Sequence, residues 1–231
     1  WGVERFKTKV EEYLDGDNLA SARPVAVQNI DDHLGWHPQG DGKFYFGLYV
    51  ENGRIKDEGD FRMKTGLRKL LERFRPPNRL TPQQSILLCD LPRESQEEIH
   101  ELLSEHRISR LNDISNVRRY AMACPALPTC GLAITESERV LPRVIDRLET
   151  QLTRLGLNTN EFTVRMTGCP NACARPYTAD IGLVGKAVGK YTVLVGGRMR
   201  GVIGADEIDR AVGQGRRRRR AVGRRLEGRD H

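Results

Sequence analysis

Long apolar runs are missing from this chain of 231 residues. No stretch of about eighteen consecutive apolar residues occurs, which excludes an ordinary transmembrane helix and predicts that the chain has no membrane partner. The opening residues, WGVERFKTKVEEY, also lack the basic, apolar and small-residue regions of a secretory signal. With 38% hydrophobic residues, the composition is that of a soluble globular protein. We expect a cytoplasmic location, or the plastid stroma if the source is a photosynthetic eukaryote.

A surplus of acidic residues is absent as well, since the formal charge is +7 at pH 7. The positive excess lies in the last 22 residues, which contain nine arginines and two acids, so the rest of the chain is neutral. Residues 206–231 have too little apolar content to fold alone and are predicted to form a disordered, arginine-rich tail. Such a tail would bind nucleic acid without sequence preference and with a strong dependence on salt. Charge therefore gives no indication of a dedicated nucleic-acid-binding domain.

Cysteine is scarce, with five residues, and their odd number without a secretory signal favours a reducing compartment over a disulfide framework. Cys89 stands alone in the strand-like run SILLCDL, where we expect it to pack in the core. The other four form two close pairs, Cys124 with Cys130 in CPALPTC and Cys169 with Cys173 in CPNAC, and 38 residues lie between the pairs. A fold that brings the two loops together would place four thiols around one centre.

Four clustered thiolates can hold either a zinc ion or an iron–sulfur cluster. Structural zinc sites usually have about two to four residues between paired ligands and often include histidine. Here the first pair is separated by five residues that include two prolines, and the histidines are not clustered in the sequence. Proline also follows the first cysteine of each pair, as in other cluster-binding runs. The spacing thus favours a [4Fe-4S] cluster, with zinc as the alternative.

The first half of the chain is predicted to contain a connecting segment, residues 1–30, with a short helix near 6–14, and then an α+β unit, residues 31–112. In that unit an Asn-Gly pair at 52–53, after an aromatic and β-branched run, predicts a β-hairpin. Apolar residues at helical spacing predict two helices, in TGLRKLLERF and SQEEIHELLSEHRI, with a strand between them in RLTPQQSILLCDLP.

Residues 113–205 are predicted to form an α/β domain that carries both cysteine loops. A helix in ITESERVLPRVIDRLETQLTRLG is predicted to begin at a capping box formed by Thr135 and Glu138. Three strands are predicted after it, in EFTVRMTG, ADIGLVG and YTVLVGG. The stretch GLVGKAVGKY lacks the glycine spacing and the Ser or Thr of a phosphate-binding loop.

The two cysteine loops, in ACPALPTCGLAITESERVLP and TGCPNACARPYTADIGLVGKAVGKYTVLVGG, closely resemble those in the C-terminal half of sulfite reductase. The likeness covers about residues 1–200 and includes LGWHPQGDGKFYFGLYVENGRI, MKTGLRKLL and RLTPQQSILLCDLP. It implies a ferredoxin-like half-domain followed by a sirohaem and iron–sulfur domain of the nitrite/sulfite reductase type. The chain departs from the family in its arginine-rich tail, and at Ala172, where the family usually has glycine.

The resemblance implies that Cys124, Cys130, Cys169 and Cys173 hold a [4Fe-4S] cluster, and that Cys173 is also the axial ligand of the sirohaem iron. Sirohaem carries many carboxylates, for which Arg175 is the leading partner and Asn171 a weaker one. The alternative for Arg175 is a surface or structural ion pair. In the family, the residues that grip sulfite and deliver protons lie in the N-terminal half. Because the chain begins with Trp and lacks that half, we expect a fragment with no assignable catalytic residue and no turnover by itself.

The implied activity is assimilatory reduction of sulfite to sulfide. Ferredoxin is the expected electron donor, on the residues GDGKFYFG and ARPY, with an NADPH flavoprotein as the alternative. Nitrite reductase is the nearest other enzyme, but CARPY resembles sulfite reductases, whereas nitrite reductases tend to have CGQ. A non-catalytic cysteine-ligated module for metal binding or electron transfer is the alternative from another class.

Overall fold

The computed structural model of the protein describes residues 2–21 and 31–197. Residues 2–21 belong to one compact unit and residues 31–197 to another. The first unit contains helix α1, Val3–Glu11, which begins and ends three residues before the predicted helix. The predicted tail and residues 22–30 of the predicted connecting segment lie outside the described residues. Within the described ranges, no helix combines the length and the apolar content needed to cross a bilayer.

The amino-terminal part of the second unit is an antiparallel sheet packed against two helices. Its elements, in chain order, are β1 (Gly35–Pro38), β2 (Phe44–Leu48), β3 (Asp57–Glu58), β4 (Phe61–Arg62), α2 (Met63–Phe74), β5 (Asn78–Leu80), β6 (Ile86–Leu91) and α3 (Ser95–Glu105). The sheet has the strand order β1-β2-β6-β5, and β3 and β4 pair with each other in a separate two-stranded sheet. Leu48 and Leu88 from the sheet, Leu70 from α2 and Leu103 from α3 meet in one buried core.

Both helices predicted in this part are confirmed. The one strand predicted in RLTPQQSILLCDLP is confirmed only as β6, because residues 81–85 form a turn between β5 and β6. Helix α2 places Leu67 and Leu70 on its buried face, as their helical spacing predicts. It ends at Phe74, and Arg75 adopts a left-handed conformation with φ +46°, donating its N–H to the Leu71 carbonyl at 3.0 Å. The residue before a proline disfavours the helical region, so the helix stops ahead of Pro76.

The hairpin predicted at Asn52-Gly53 is wrong. Strand β2 already pairs with β1 on one side and β6 on the other, so no edge of β2 is left for the strand that follows. Residues Glu51–Gly53 instead form a short 3₁₀ turn with positive φ at Asn52 and Gly53. Asn52 Nδ2 donates to the carbonyl oxygen of Glu138 at 3.0 Å. The turn thus binds the carboxyl-terminal part of the chain.

The carboxyl-terminal part of this unit is a mixed sheet, which confirms the predicted α+β class. Its elements are α4 (Asn116–Arg119), β7 (Ala121–Ala123), α5 (Leu141–Arg154), β8 (Val164–Thr167), β9 (Ile181–Ala187) and β10 (Lys190–Val195). The strand order is β10-β9-β8-β7, in which β7, β8 and β9 are parallel and β10 is antiparallel to β9. The three strands predicted in this part are therefore confirmed.

The two faces of the mixed sheet are covered by different structures. On one face Val164 and Met166 of β8 pack against Leu141 and Ile145 of α5. On the other face the chain just after the second cysteine loop lies close to β9. A Cβ on Gly182 would lie 2.1 Å from the carbonyl oxygen of Pro176, so this approach requires glycine. Gly182 and Gly185 of the rejected phosphate-loop stretch therefore serve packing, since a Cβ on Gly185 would lie 2.4 Å from the Gly168 carbonyl oxygen.

The predicted capping box is also wrong. Helix α5 begins at Leu141, its N-cap is Val140, and no side chain caps it. The Thr135 hydroxyl accepts a hydrogen bond from the N–H of Gly189 at 2.9 Å. The Glu138 carboxylate accepts two bonds from the Arg54 guanidinium, each at 2.5 Å. Both groups of the predicted box therefore have long-range partners that compete with capping.

The Arg54–Glu138 pair joins the two sheets and gives a testable stability effect. The Glu138 side chain is 7% exposed and that of Arg54 is 38% exposed, so Arg54→Met would leave a buried carboxylate without its partner. We expect the free energy of unfolding to fall by about 2 kcal/mol, after allowing for solvent screening at Arg54. Urea denaturation checks this. The control is Arg73→Met, whose partner Glu98 is exposed and whose loss should cost under about 1 kcal/mol. Equal effects of both changes would contradict the prediction.

Candidate functional site: two cysteine loops

The two cysteine loops begin at the carboxyl ends of neighbouring parallel strands. Strand β7 ends at Ala123, directly before Cys124, and β8 ends at Thr167, two residues before Cys169. Ala123 pairs with Met166 in the parallel register, and the Cys124 N–H donates to the Met166 carbonyl at 3.1 Å. Because parallel strands end at the same edge of a sheet, the topology brings two loops that are distant in sequence to one place.

Gly168 connects the second loop to both sides of the first. Its N–H donates to Cys124 Sγ at 3.3 Å. Its carbonyl oxygen accepts from the N–H groups of Ile134 at 2.9 Å and Thr135 at 3.1 Å, which follow the first loop. A backbone donor on a cysteine sulfur stabilises negative charge there, as hydrogen bonds to sulfur do at iron–sulfur centres. A Cβ on Gly168 would lie 2.4 Å from the Thr135 carbonyl oxygen, so only glycine permits this approach.

The first loop is a tight turn, in which Cys130 is more exposed than Cys124. The Cys130 N–H donates to the Ala126 carbonyl at 2.7 Å, and the Ala126 backbone has φ +48°. The Leu127–Pro128 peptide bond is cis. Arg139 Nη1 donates to the Leu127 carbonyl at 2.9 Å, which ties the loop to the start of α5. Cys124 is buried, and Cys130 is half-buried.

The second loop turns the Cys173 thiol toward the surface. Ala174 is 2% exposed and packs with Cys124 and Ala126 of the first loop. Cys169 is buried, whereas Cys173 is exposed. Ala172 has φ +61°, a left-handed conformation that costs alanine roughly 1 kcal/mol and glycine nothing. This backbone accounts for glycine being usual at this position in the resembling family.

The four thiols do not form an ion-sized donor set. Among the residues that the structure describes, no three Cys, His, Asp or Glu side chains lie close enough to hold one metal ion. What the fold brings together is the two loops, through the Gly168–Cys124 bond and the contact of Ala126 with Ala174. The predicted role of the four cysteines remains a prediction.

Two arginine side chains approach the sulfur of Met122. Arg165, in β8, is 2% exposed, and its Nη1 lies 3.3 Å from Met122 Sδ. Arg175 Nη2 lies 3.9 Å from the same sulfur and donates to the Pro82 carbonyl at 3.2 Å. Burial, together with the neighbouring charge of Arg175, lowers the pKa of Arg165 to about 10. Two guanidinium groups therefore lie next to the strand end that leads into the first cysteine loop.

Sequence reasoning named Arg175 as a candidate, which remains a prediction, and did not consider Arg165. In FTVRMT, Arg165 alternates with the core residues Val164 and Met166, so it lies on the other face of β8. A charged residue inside a strand that leads directly into a cysteine loop is a signal that could have identified it. Asn171, the weaker candidate, is exposed in the second loop. Cys89 lies buried in β6, where its isolated position in the sequence predicted it.

Comparison with known proteins identifies two domains, in the order that the sequence resemblance implies. The family model described as the nitrite/sulfite reductase ferredoxin-like half domain matches residues 37–106. The family model described as the nitrite and sulphite reductase 4Fe-4S domain matches residues 115–213. The structure of the Mycobacterium tuberculosis NirA protein matches 87% of the chain with a TM-score of 0.71 and 26% identity, over 38% of its own length.

Curated relatives include sulfite reductases of two kinds. The chain is 45% identical to "Sulfite reductase [ferredoxin]" of Synechococcus elongatus over 197 residues, which are 85% of the chain and 31% of that protein. It is 42% identical to "Sulfite reductase [NADPH] hemoprotein beta-component" of Chromohalobacter salexigens, over 87% of the chain and 34% of that protein. The chain thus spans about one third of the length of these relatives. With two family models matched in order and both cysteine loops inside the second, the chain belongs to the nitrite and sulfite reductase family.

Proposed function

We propose that the chain is the cofactor-binding C-terminal portion of an assimilatory sulfite reductase. In this proposal Cys124, Cys130, Cys169 and Cys173 hold a [4Fe-4S] cluster, and Cys173 also ligates the iron of sirohaem. The observation that carries it is the meeting of two cysteine loops at the ends of β7 and β8. The names of the relatives support sulfite as the substrate. We also propose residues 31–112 and 113–205 as the two domains.

The residues present fit a cubane cluster. A cubane takes one thiolate for each iron, so its four ligands stand apart at separate corners instead of converging on one ion. Two buried thiols, one half-buried thiol and one exposed thiol are available from the two loops. The N–H of Gly168 already points at the sulfur of Cys124. The exposure of Cys173 leaves its sulfur accessible to a second group, as a bridging ligand requires.

The arginines beside the loops fit the carboxylates of sirohaem. Arg165 and Arg175 share a neighbour in Met122, directly before the strand end that leads into the first cysteine loop, so two guanidinium groups that can donate to carboxylates lie beside the proposed cluster. Asn171 remains a weaker candidate in the same loop. These side chains would bind and orient the cofactor, while the bound cofactors would supply the electrons for reduction of the sulfur of sulfite.

Ferredoxin is the electron donor that we propose, with an NADPH flavoprotein as the alternative. The residues GDGKFYFG and ARPY support ferredoxin, as does the name of the relative with 45% identity. The name of the relative with 42% identity supports the alternative. Comparing reduced ferredoxin with an NADPH flavoprotein as donor to the chain complemented with an amino-terminal portion would decide between them.

The test is anaerobic reconstitution of the 231-residue chain with iron, sulfide and sirohaem. We expect iron and acid-labile sulfide equivalent to one cubane per chain, and intense visible absorption bands when sirohaem binds. Complementation with the amino-terminal portion of the Synechococcus elongatus relative should then give sulfide from sulfite. Zinc in place of iron, or a brown cluster that never takes up sirohaem, would refute the proposal, and nitrite reduction without sulfite reduction would refute the substrate.

A further inference from the structure

We infer that the turn between β5 and β6, Thr81–Ser85, positions both cysteine loops, and that Gln84 is the side chain through which it acts on the first. This role concerns the orientation of the Cys124 backbone. The use of that cysteine as a cluster ligand is the proposed function, on which the inference rests. The turn belongs to the antiparallel sheet, whereas both loops belong to the mixed sheet.

The turn makes one hydrogen bond with each side of the site. Gln84 Nε2 donates to the carbonyl oxygen of Ala123 at 2.8 Å, directly before Cys124. The carbonyl oxygen of Pro82 accepts from Arg175 Nη2 at 3.2 Å, two residues after Cys173. This five-residue turn of the antiparallel sheet thus contacts the start of the first cysteine loop and the end of the second.

The turn is internally fixed. The Thr81 N–H donates to the Ser85 carbonyl at 2.9 Å, and the Gln84 N–H donates to the Thr81 carbonyl at 3.0 Å. The Ser85 N–H also donates to the Thr81 hydroxyl oxygen at 3.1 Å. Gly53 packs behind it, since a Cβ on Gly53 would lie 3.3 Å from Gln84 Cβ. Because these bonds fix the conformation of the turn, the groups that it contacts are held in fixed positions as well.

Gln84 fixes one side of a peptide group whose other side is held by β8. The carbonyl oxygen of the Ala123–Cys124 peptide accepts from Gln84, and its N–H donates to the Met166 carbonyl at 3.1 Å. With both ends of the peptide plane held, the position of the Cys124 Cα is set, and the side chain can turn only about the N–Cα and Cα–Cβ bonds. Its sulfur then meets the N–H of Gly168 at 3.3 Å.

Gln84 has two locally unfavourable features that packing does not explain. Its backbone has φ +64°, where glycine would be free of strain. Its Oε1 is buried and accepts no hydrogen bond within the described part of the chain. Strain and an unsatisfied polar atom at one residue are typical of functional positions, where geometry is kept despite its cost. We attribute the retention of both unfavourable features to the hydrogen bond that the Gln84 amide donates to Ala123.

The test is Gln84→Glu, which keeps the shape of the side chain and replaces its donor with an acceptor. Gln83→Glu is the matched control, because it makes the same change one residue earlier, and Gln83 makes no hydrogen bond to either loop within the described residues. In the chain without cofactors, alkylation of Cys124 is timed by peptide mass spectrometry, with buried Cys89 as internal reference. Loss of one hydrogen bond should raise the rate at Cys124 relative to Cys89 about tenfold.

Gln84→Met gives a second variant without a charge and should have the same effect. An unchanged Cys124 to Cys89 ratio in both variants would overturn the inference, whether both rates stay constant or rise together through loss of folding. An equal rise in Gln83→Glu would overturn it too. Reconstituted Gln84→Glu should also show an altered electron paramagnetic resonance spectrum of the reduced cluster. If the unaltered chain protects Cys124 but binds no cluster, the proposed function fails and the positioning role stands.

Discussion

Replacing any one of the four paired cysteines by alanine is expected to lower the iron content of the reconstituted chain at least about tenfold. Each iron of a cubane has its own thiolate, so removing one ligand exposes an iron corner to solvent and exchange. The residues to change are Cys124, Cys130, Cys169 and Cys173. Iron and sulfide analysis, with the visible spectrum of the anaerobic protein, measures the loss.

Cys89→Ala is the matched control for this series. Cys89 is as buried as Cys124 and Cys169, at 8% exposure each, but it lies in β6, within the antiparallel sheet. Its replacement should lower the free energy of unfolding by about 1 kcal/mol and leave the iron content unchanged. Loss of iron in the control, or full iron content in any of the four variants, would show that the ligand assignment is wrong.

Cys173→Ala carries a separate expectation within this series. Its thiol is the exposed one, and in the proposed function it alone serves both groups. This variant should therefore lose the sirohaem bands as well as the cluster. A Cys173→Ala variant that retains both the cluster and the sirohaem bands would show that Cys173 is a ligand of neither group.

The sequence was sufficient for elements whose identity depends on local pattern. Helix α2 follows from apolar spacing and a terminal proline, and strands β8, β9 and β10 follow from β-branched runs between glycines. It failed where a local motif had a distant partner. The Asn52-Gly53 pair has the positive φ angles that a tight hairpin turn needs, but β2 was already paired on both sides. Thr135 and Glu138 have capping-box spacing, but Gly189 and Arg54 bind them instead.

The same distinction applies to the site. Cysteine spacing in two short loops is a local signal, and the parallel pairing of β7 with β8 brings those loops together. The roles of Arg165 and Gln84 depend on contacts across the fold, with Met122 and with Ala123. No local pattern marks a glutamine in TPQQS as a neighbour of a cysteine loop. Such residues become visible only when the two sheets are placed together.

Gly168→Ala is expected to damage both loops at once. The added Cβ would lie 2.4 Å from the Thr135 carbonyl oxygen and 2.6 Å from Ala126 Cβ. Neither neighbour can move freely, because Gly168 binds the chain on both sides of the clash, at Cys124 and at Thr135. We expect the free energy of unfolding to fall by about 3 kcal/mol, and the capacity to bind iron to be lost. Thermal melting and iron analysis measure the two effects.

Gly131→Ala is the control that separates this steric argument from a general sensitivity of glycines near the cysteines. Gly131 directly follows Cys130, has no positive φ, and would present its Cβ to open space. Its replacement should leave stability within about 0.5 kcal/mol of the unaltered chain and preserve iron binding. The prediction is wrong if Gly168→Ala has the same melting temperature and the same iron content as Gly131→Ala. The two loops could then separate without loss of stability or of iron binding. The site would then not depend on the close approach of β8 to the first cysteine loop.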